Sequence, residues 1–302
     1  MIEFRNYSES DRDALFEITS DAWSVFGPGS EMHVGDLAWA LLHAGEKALS
    51  RIWLAFEGDN LAGYAFLTSP RWCDFVLRPS LTAPTREIIV EGFVRWADEA
   101  ASSIPASGES SRLLRFGRRV ADSTLSEQFE SLGFRRMATG FPTLIRPATV
   151  GGLPSSKRLL DGFSISEAGI MADDSRCAAW NSAFPNEALP TSFYSDLRKM
   201  KEIWPSLDLS VSDSNGGVAS FLTVWRDAAT SSALFEPVGC HADFRRTGLT
   251  RILMEEACRQ LSQLSVAQVF VRVSSANRSA HCFYEACGFV VASQEFGFER
   301  PL

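Results

Sequence analysis

Residues 236–254 read EPVGCHADFRRTGLTRILM, an apolar strand-like segment that passes through a basic, glycine-containing turn into a helix. The first N–H groups of a helix have no internal acceptor, and the helix dipole adds a partial positive charge. Main-chain donors from Arg246 to Thr250 are therefore predicted to bind an anion such as a diphosphate, and Gly248 lets the backbone come close. Taken alone, the segment also fits a basic helix start that tolerates a glycine.

A second segment, residues 277–289, reads NRSAHCFYEACGF. It matches the pattern Asn-x-x-Ala-x-x-x-Tyr-x-x-x-Gly-Phe at all specified positions, and together the two segments resemble the GNAT family of N-acetyltransferases. In that family the coenzyme A pyrophosphate loop follows the pattern Arg/Gln-x-x-Gly-x-Gly/Ala, which residues 245–250, RRTGLT, match with one departure. Thr250 replaces the usual Gly or Ala, so its hydroxyl either donates to the phosphates or crowds them.

The resemblance implies acetyl-CoA as cosubstrate, without a metal, and assigns roles to individual residues. Tyr284 corresponds to the general acid that protonates the departing thiolate. The implied coenzyme contacts are the main chain of Val238 and Cys240, the loop residues Arg245, Arg246, Thr247, Gly248, Leu249 and Thr250, and the side chain of Asn277. A phenol is fully protonated at neutral pH, which suits the role given to Tyr284.

Other readings of these residues stay open. Tyr284 is also compatible with an aromatic core position, and Asn277 with a simple N-cap. Cys240 is a poor nucleophile candidate, because the sequence places no His or Asn partner near it. His241 and His281 are expected to be surface or packing residues.

Glu236 is the candidate general base, although family members differ in which residue serves. It stands two residues before Val238, on the same predicted strand face, where a carboxylate could take the ammonium proton directly or through water. The alternative is a solvated or paired carboxylate at a strand end.

One order of elements, a strand, helical segments, an antiparallel hairpin and a β-α-β-α pattern, occurs twice along the chain. This predicts an α+β (mixed α/β) protein of two tandem GNAT-like domains, each a mixed, mostly antiparallel sheet flanked by helices. The predicted bounds are residues 1–150 and 161–302, with a linker over 151–160. The first domain is expected to be degenerate: residues 77–86 contain no glycine, Pro84 has no N–H to donate, and Phe129 stands where the second copy has Tyr284.

Composition limits the other functional classes. The 302 residues carry 29 Lys and Arg against 37 Asp and Glu, a net charge of −8 that argues against nucleic-acid binding. The six cysteines show no metal-type or disulfide-framework spacing, and no stretch is apolar enough to span a membrane. These features predict a cytoplasmic protein without membrane or nucleic-acid partners, either a monomer or a homodimer.

The expected activity is transfer of an acetyl group to a primary amine of a small acceptor by direct attack. Three alternatives remain: a non-catalytic acyl-CoA-binding sensor or interaction module, a thiol-cofactor acetyltransferase resembling mycothiol synthase, and an aminoacyl transferase, which the acidic charge disfavours. The acceptor itself is not specified. Aromatic residues of the early second-half helices are plausible acceptor contacts, namely Trp180, Phe184, Phe193, Tyr194 and Trp204.

Overall fold

The computed structural model describes residues 1–28, 32–44, 48–69, 71–103, 113–119, 123–148, 159–167, 173–197 and 203–302. The chain divides into two compact units. The first comprises Met1–Thr143, Arg272–Arg278 and Val291–Leu302, and the second comprises Leu144–Val271 and Ser279–Val290.

The strands of the first half form a mixed sheet. Their bounds are β1 Ile2–Asn6, β2 Ile52–Glu57, β3 Asn60–Ser69, β4 Trp72–Leu77, β5 Leu113–Arg119 and β6 Arg135–Pro147. The helices are α1 Arg12–Phe26, α2 Val34–Ala44, α3 Ala48–Arg51, α4 Ala83–Ser102 and α5 Ser123–Ser131. Strands β1 to β4 pair antiparallel in chain order, whereas β4 pairs parallel with β5.

Two apolar clusters cover the two faces of this sheet, as the alternation of side chains along a strand requires. On β3, Tyr64 and Phe66 point to one face with Leu15 and Ile18 of α1, and Ala65 points to the other. The second face holds helices α4 and α5 through a cluster that includes Phe75, Phe93, Phe116, Phe129, Phe134 and Phe298. Both faces are therefore buried under helices.

The second half repeats the plan. Its strands are β7 Ser164–Glu167, β8 Ile203–Ser212, β9 Val218–Asp227, β10 Ser232–Cys240, β11 Gln268–Arg272 and β12 Val290–Pro301. Its helices are α6 Asp173–Ala183, α7 Thr191–Leu197, α8 Leu249–Gln263 and α9 Arg278–Ala286. Strands β7 to β10 pair antiparallel in chain order, and β10 then pairs parallel with β11.

The predicted fold class, a mixed sheet flanked by helices and present twice, is confirmed. The grouping into units differs from the predicted division in residues 144–150, 272–278 and 291–302. In particular, β12 follows α9 in the chain but pairs antiparallel with β5, through Phe298↔Phe116 and Arg300↔Leu114. A repeat in sequence does not specify which sheet its last strand joins.

Two further points concern the prediction. Helix α2 was not predicted, because its apolar residues run almost continuously over 37–42 and such a run does not distinguish a helix from a strand. The predicted linker, residues 151–160, lies outside the described residues except for Leu159 and Leu160.

Candidate active site

Strand β10 carries a bulge in the middle of the second unit. Its register with β9 runs from Phe235↔Val224 directly to Val238↔Leu222, which leaves one extra residue on β10. Within the described residues, its parallel pairing with β11 covers Ser232–Leu234 only. A bulge bends a strand and interrupts its ladder, so the main chain after Phe235 separates from β11.

Exposure alternates along the end of β10. Glu236, Val238 and Cys240 are half-buried, while Pro237 and Gly239 are buried. The three residues singled out in the sequence therefore share one partly accessible face. Gly239 allows the close approach of Phe221, whose ring tip would overlap any Cβ added at this position.

The turn after β10 presents a row of main-chain donors at the start of α8. Arg246 and Gly248 both have left-handed backbone conformations, with φ of 65° and 89°. Among the described residues, none accepts a hydrogen bond from the main-chain N–H groups of residues 246–250. The side chains of residues 245–247 are exposed. The turn therefore offers a row of adjacent main-chain N–H groups at a helix N-terminus, the arrangement that binds phosphate groups.

Thr250 is held within the protein. Its Oγ1 lies 2.8 Å from Oγ of Ser220, which in turn lies 3.0 Å from the carbonyl oxygen of Gly239. The Ser220 hydroxyl, placed between the acceptors Thr250 Oγ1 and the Gly239 carbonyl, joins α8 to β9 and β10. Nothing in the sequence pointed to Ser220, because its partner is thirty residues away.

Tyr284 lies on α9 with 8% of its surface exposed. Its ring contacts those of Phe283 and Phe289, with centroids 5.2 Å and 5.6 Å away. Burial raises the pKa of Tyr284, and the negative charge of Glu236 raises it further. The structure thus places the two residues within electrostatic range, and it keeps the phenol protonated over the physiological pH range.

The remaining predicted residues lie around these elements. Asn277 is exposed and directly precedes α9, its main-chain N–H donating to Ser274 at 2.8 Å. His241 Nδ1 accepts from the main-chain N–H of Asp243 at 3.3 Å, and its ring packs beside Phe244. His281 is half-buried on α9. Burial raises the pKa of the Cys240 thiol, which disfavours a thiolate nucleophile there.

The corresponding helix start of the first unit is different. Its α4 is capped by Thr82, whose Oγ1 accepts from the main-chain N–H of Thr85 at 3.4 Å, and Pro84 lies in the first turn. One donor is thus used by the cap and one position has none to offer. Phe129 is fully buried and stacks on Phe298, with ring centroids 4.7 Å apart.

The aromatic residues considered for the acceptor have different surroundings. Trp180 is buried and Phe184 half-buried, and both pack on Phe221 with ring centroids 6.0 Å and 6.2 Å away. Tyr194 is buried on α7, while the side chains of Phe193 and Trp204 lie outside what the structure describes.

The sequence prediction did not include Arg176, although its position four residues before Trp180 puts both on one helix face.

Among the described residues, no group of three or more His, Cys, Asp or Glu side chains could hold a metal ion. In the same part of the chain, no helix combines the length and the apolar character that crossing a membrane requires.

Residues 206–291 match the family model described as "Acetyltransferase (GNAT) domain". No curated protein matches the sequence.

Solved structures match over nearly the whole chain. A tandem GNAT protein from the clavulanic acid biosynthesis pathway has a TM-score of 0.68 at 13% identity, covering 100% of this chain and 98% of that one. A GCN5-related N-acetyltransferase from Sphaerobacter thermophilus has a TM-score of 0.65 at 15% identity, covering 99% and 95%. A putative acetyltransferase from Pyrococcus horikoshii has a TM-score of 0.55 at 12% identity, covering 100% and 89%.

These similarities define the fold of the chain as that of a tandem GNAT protein. Its residues 206–291 form a GNAT acetyltransferase domain, a fold that supports acyl transfer.

Proposed function

We propose that this protein transfers an acetyl group from acetyl-CoA to a primary amine of a small acceptor, using the second unit only. The observation that carries this proposal is the row of main-chain N–H groups over residues 246–250 at the start of α8, directly after a strand that separates from its neighbour. Such a row of donors favours the binding of a diphosphate. The separated strand leaves main-chain groups that can hydrogen-bond to an extended ligand such as the pantetheine arm of coenzyme A.

The coenzyme contacts follow from this placement. Residues 245–250 bind the pyrophosphate, with Gly248 allowing the phosphates to approach the main chain. The main chain of Val238 and Cys240 binds the pantetheine arm and the thioester carbonyl. Thr250 does not crowd the phosphates in this account, because its hydroxyl faces Ser220.

The chemistry requires two proton transfers. The amine nitrogen forms a bond to the acetyl carbon, the carbon–sulfur bond breaks, and the products are an N-acetylated acceptor and free coenzyme A. Glu236 removes the proton that the amine must lose, and Tyr284 supplies the proton that the sulfur gains.

The electrostatic coupling between the two residues favours this sequence. While Glu236 is ionised, its charge helps to keep the phenol of Tyr284 protonated. Once Glu236 has taken a proton, that charge is neutralised and the phenol gives up its own proton more readily. Proton uptake by Glu236 therefore favours the later release of a proton by Tyr284.

Free cysteines at all six positions are consistent with a reducing compartment, so we place the protein in the cytoplasm. We expect it to act there as a monomer or a homodimer.

The test is a release assay. Acetyl-CoA is incubated with panels of small amines and of small thiols; free coenzyme A is measured, and product masses are determined. We expect an amine whose mass rises by one acetyl group. Acetylated thiols alone would favour a thiol-cofactor enzyme, and tight acetyl-CoA binding without release from any acceptor would favour a sensor.

A further inference from the structure

Arg176, on α6 of the second unit, is completely buried, and among the described residues none of its three guanidinium nitrogens has a partner within hydrogen-bonding geometry. An arginine carries five N–H donors, and leaving buried donors unpaired is costly. Buried polar groups in proteins are nearly always paired, so an exception calls for an explanation such as a missing ligand.

Two aromatic rings hold the guanidinium in place. Its central carbon lies 3.6 Å from the ring centroid of Phe221 on β9 and 4.7 Å from that of Tyr194 on α7. Contact with aromatic faces stabilises the cation without using its N–H groups, which lie in the guanidinium plane.

Asp208, on β8, balances the charge of Arg176 but does not satisfy its donors. The closest approach, from Nη2 to Oδ1, is 3.9 Å, which is beyond hydrogen-bonding distance. Both carboxylate oxygens already have donors, Oδ2 from the hydroxyl of Tyr194 at 2.5 Å and Oδ1 from Thr223 at 2.9 Å. The carboxylate therefore neutralises the guanidinium electrostatically without accepting a hydrogen bond from it.

A second unpaired group lies on the same sheet face. Ser210, on β8, is the register partner of Phe221 on β9, and its buried Oγ has no hydrogen-bond partner in the part of the chain that the structure describes. Paired residues of antiparallel strands project to the same side, so this hydroxyl lies on the side where Phe221 carries Arg176.

This polar cluster is close to the proposed acetyl-transfer site. Phe221 is in contact with Arg176 through its ring face and with Gly239 through its tip. Gly239 lies between Val238 and Cys240 on β10, the strand that also contains Glu236. A single aromatic ring, that of Phe221, therefore separates the guanidinium of Arg176 from β10.

We propose that Arg176 binds the carboxylate of the acceptor, which is therefore an amino acid or a similar small amine with a carboxylate. This inference rests on the proposed function. A carboxylate matches the planar guanidinium with two parallel hydrogen bonds. A phosphate dianion fits less well, because Asp208 already supplies one negative charge.

The site is covered in the free chain. A carboxylate that reaches the guanidinium displaces Tyr194, which belongs to α7, a helix of seven residues. The bound acceptor then has its carboxylate at Arg176 and its amine towards β10.

The first experiment uses the unmodified protein and matched acceptor pairs, each an L-amino acid and its carboxamide. For the preferred amino acid, kcat/KM should exceed that of its amide by about 10- to 100-fold, the worth of a charge-assisted bidentate contact. The same amino acid should raise Tm in the presence of coenzyme A, whereas its amide should not. Because the Tm measurement needs no turnover, it tests the arginine site even if no product forms.

The second experiment removes the site. In the double variant Arg176→Met, Asp208→Asn no isolated charge is left in the core, so folding is expected to be retained. The double variant should lose the preference for the carboxylate, and its kcat/KM with the amides should stay unchanged. The control is Arg226→Met, which removes an arginine of the neighbouring strand that donates to the Leu264 carbonyl; this variant should keep the preference.

The outcomes separate the two proposals. Acetylation of amines with equal kcat/KM for acids and amides would overturn the arginine site and leave the proposed function intact. A Tm increase with amino acids, absent in the double variant, without any acetylated product would support the arginine site and overturn the proposed function. A carboxylate preference that persists in the double variant, or no acceptor effect on either rate or Tm, would overturn the inference.

Discussion

The main-chain N–H of Phe289 donates to the carbonyl of Tyr284 at 3.0 Å, and their rings meet at 5.6 Å with an angle of 66°. The first unit has the same arrangement, in which Phe134 donates to Phe129 at 2.9 Å and the rings meet at 5.3 Å and 88°. In both cases a left-handed glycine precedes the second aromatic residue. The two helix ends thus share one geometry, and the phenol hydroxyl is the chemical difference between them.

Replacing Tyr284 by Phe tests the role of that hydroxyl. The first unit already packs a phenylalanine in this arrangement, so Tm and acetyl-CoA affinity should hardly change. Turnover in the release assay should fall by about two to four powers of ten, the usual contribution of a positioned general acid. A variant that folds, binds acetyl-CoA and reacts at the normal rate would leave Tyr284 as a packing residue.

Replacing Glu236 by Gln tests the proposed base. Turnover should fall most near neutral pH and less at high pH, where the acceptor amine is already deprotonated. Affinity for acetyl-CoA, measured by calorimetric titration, should stay nearly constant because the base acts on the acceptor. Normal turnover of the variant at every pH would exclude Glu236 from the mechanism.

Much of this fold could be predicted because its signals are local. The helix predicted after the basic, glycine-containing turn is α8, Leu249–Gln263, and the turn residues in front of it are adjacent in sequence. The pairing of β12 with β5 could not be predicted, since it joins segments far apart in the chain. The same holds for Ser220 beside Thr250, and for Arg176 between rings from α7 and β9.

The cysteines should differ in reactivity towards iodoacetamide. Cys282 is exposed and should react first. Burial raises the pKa values of Cys258 and Cys287 to about 11, so at pH 8 few of these thiols are ionised and both should resist alkylation. Cys240, half-buried on β10, should react slowly and become protected by acetyl-CoA. Peptide mass spectrometry gives the order; early alkylation of Cys258 or Cys287 would contradict the packing described here.

Acid stability of the first unit should depend on Asp11. Two hydrogen bonds from the Arg5 guanidinium, at 2.6 Å and 2.7 Å, lower the pKa of Asp11 to about 2. A carboxylate with a depressed pKa stabilises the fold above its unfolded pKa, near 4, and this stabilisation disappears as the pH falls through the folded pKa. Asp11→Asn should therefore lower Tm at pH 6, and the Tm difference from the unmodified protein should shrink between pH 4 and pH 2. A constant difference over that range would contradict the ion pair.

The number of acetyl-CoA molecules bound per chain tests the central claim most directly. Calorimetric titration should give one site in the unmodified protein and no binding in Gly248→Val, since a side chain at this left-handed position blocks the phosphate-binding main chain. The matched control is Gly216→Val, at a left-handed turn position of the same unit with open space around it, which should bind normally. Two equivalent sites per chain, or unchanged binding by Gly248→Val, would contradict a single coenzyme site at the start of α8.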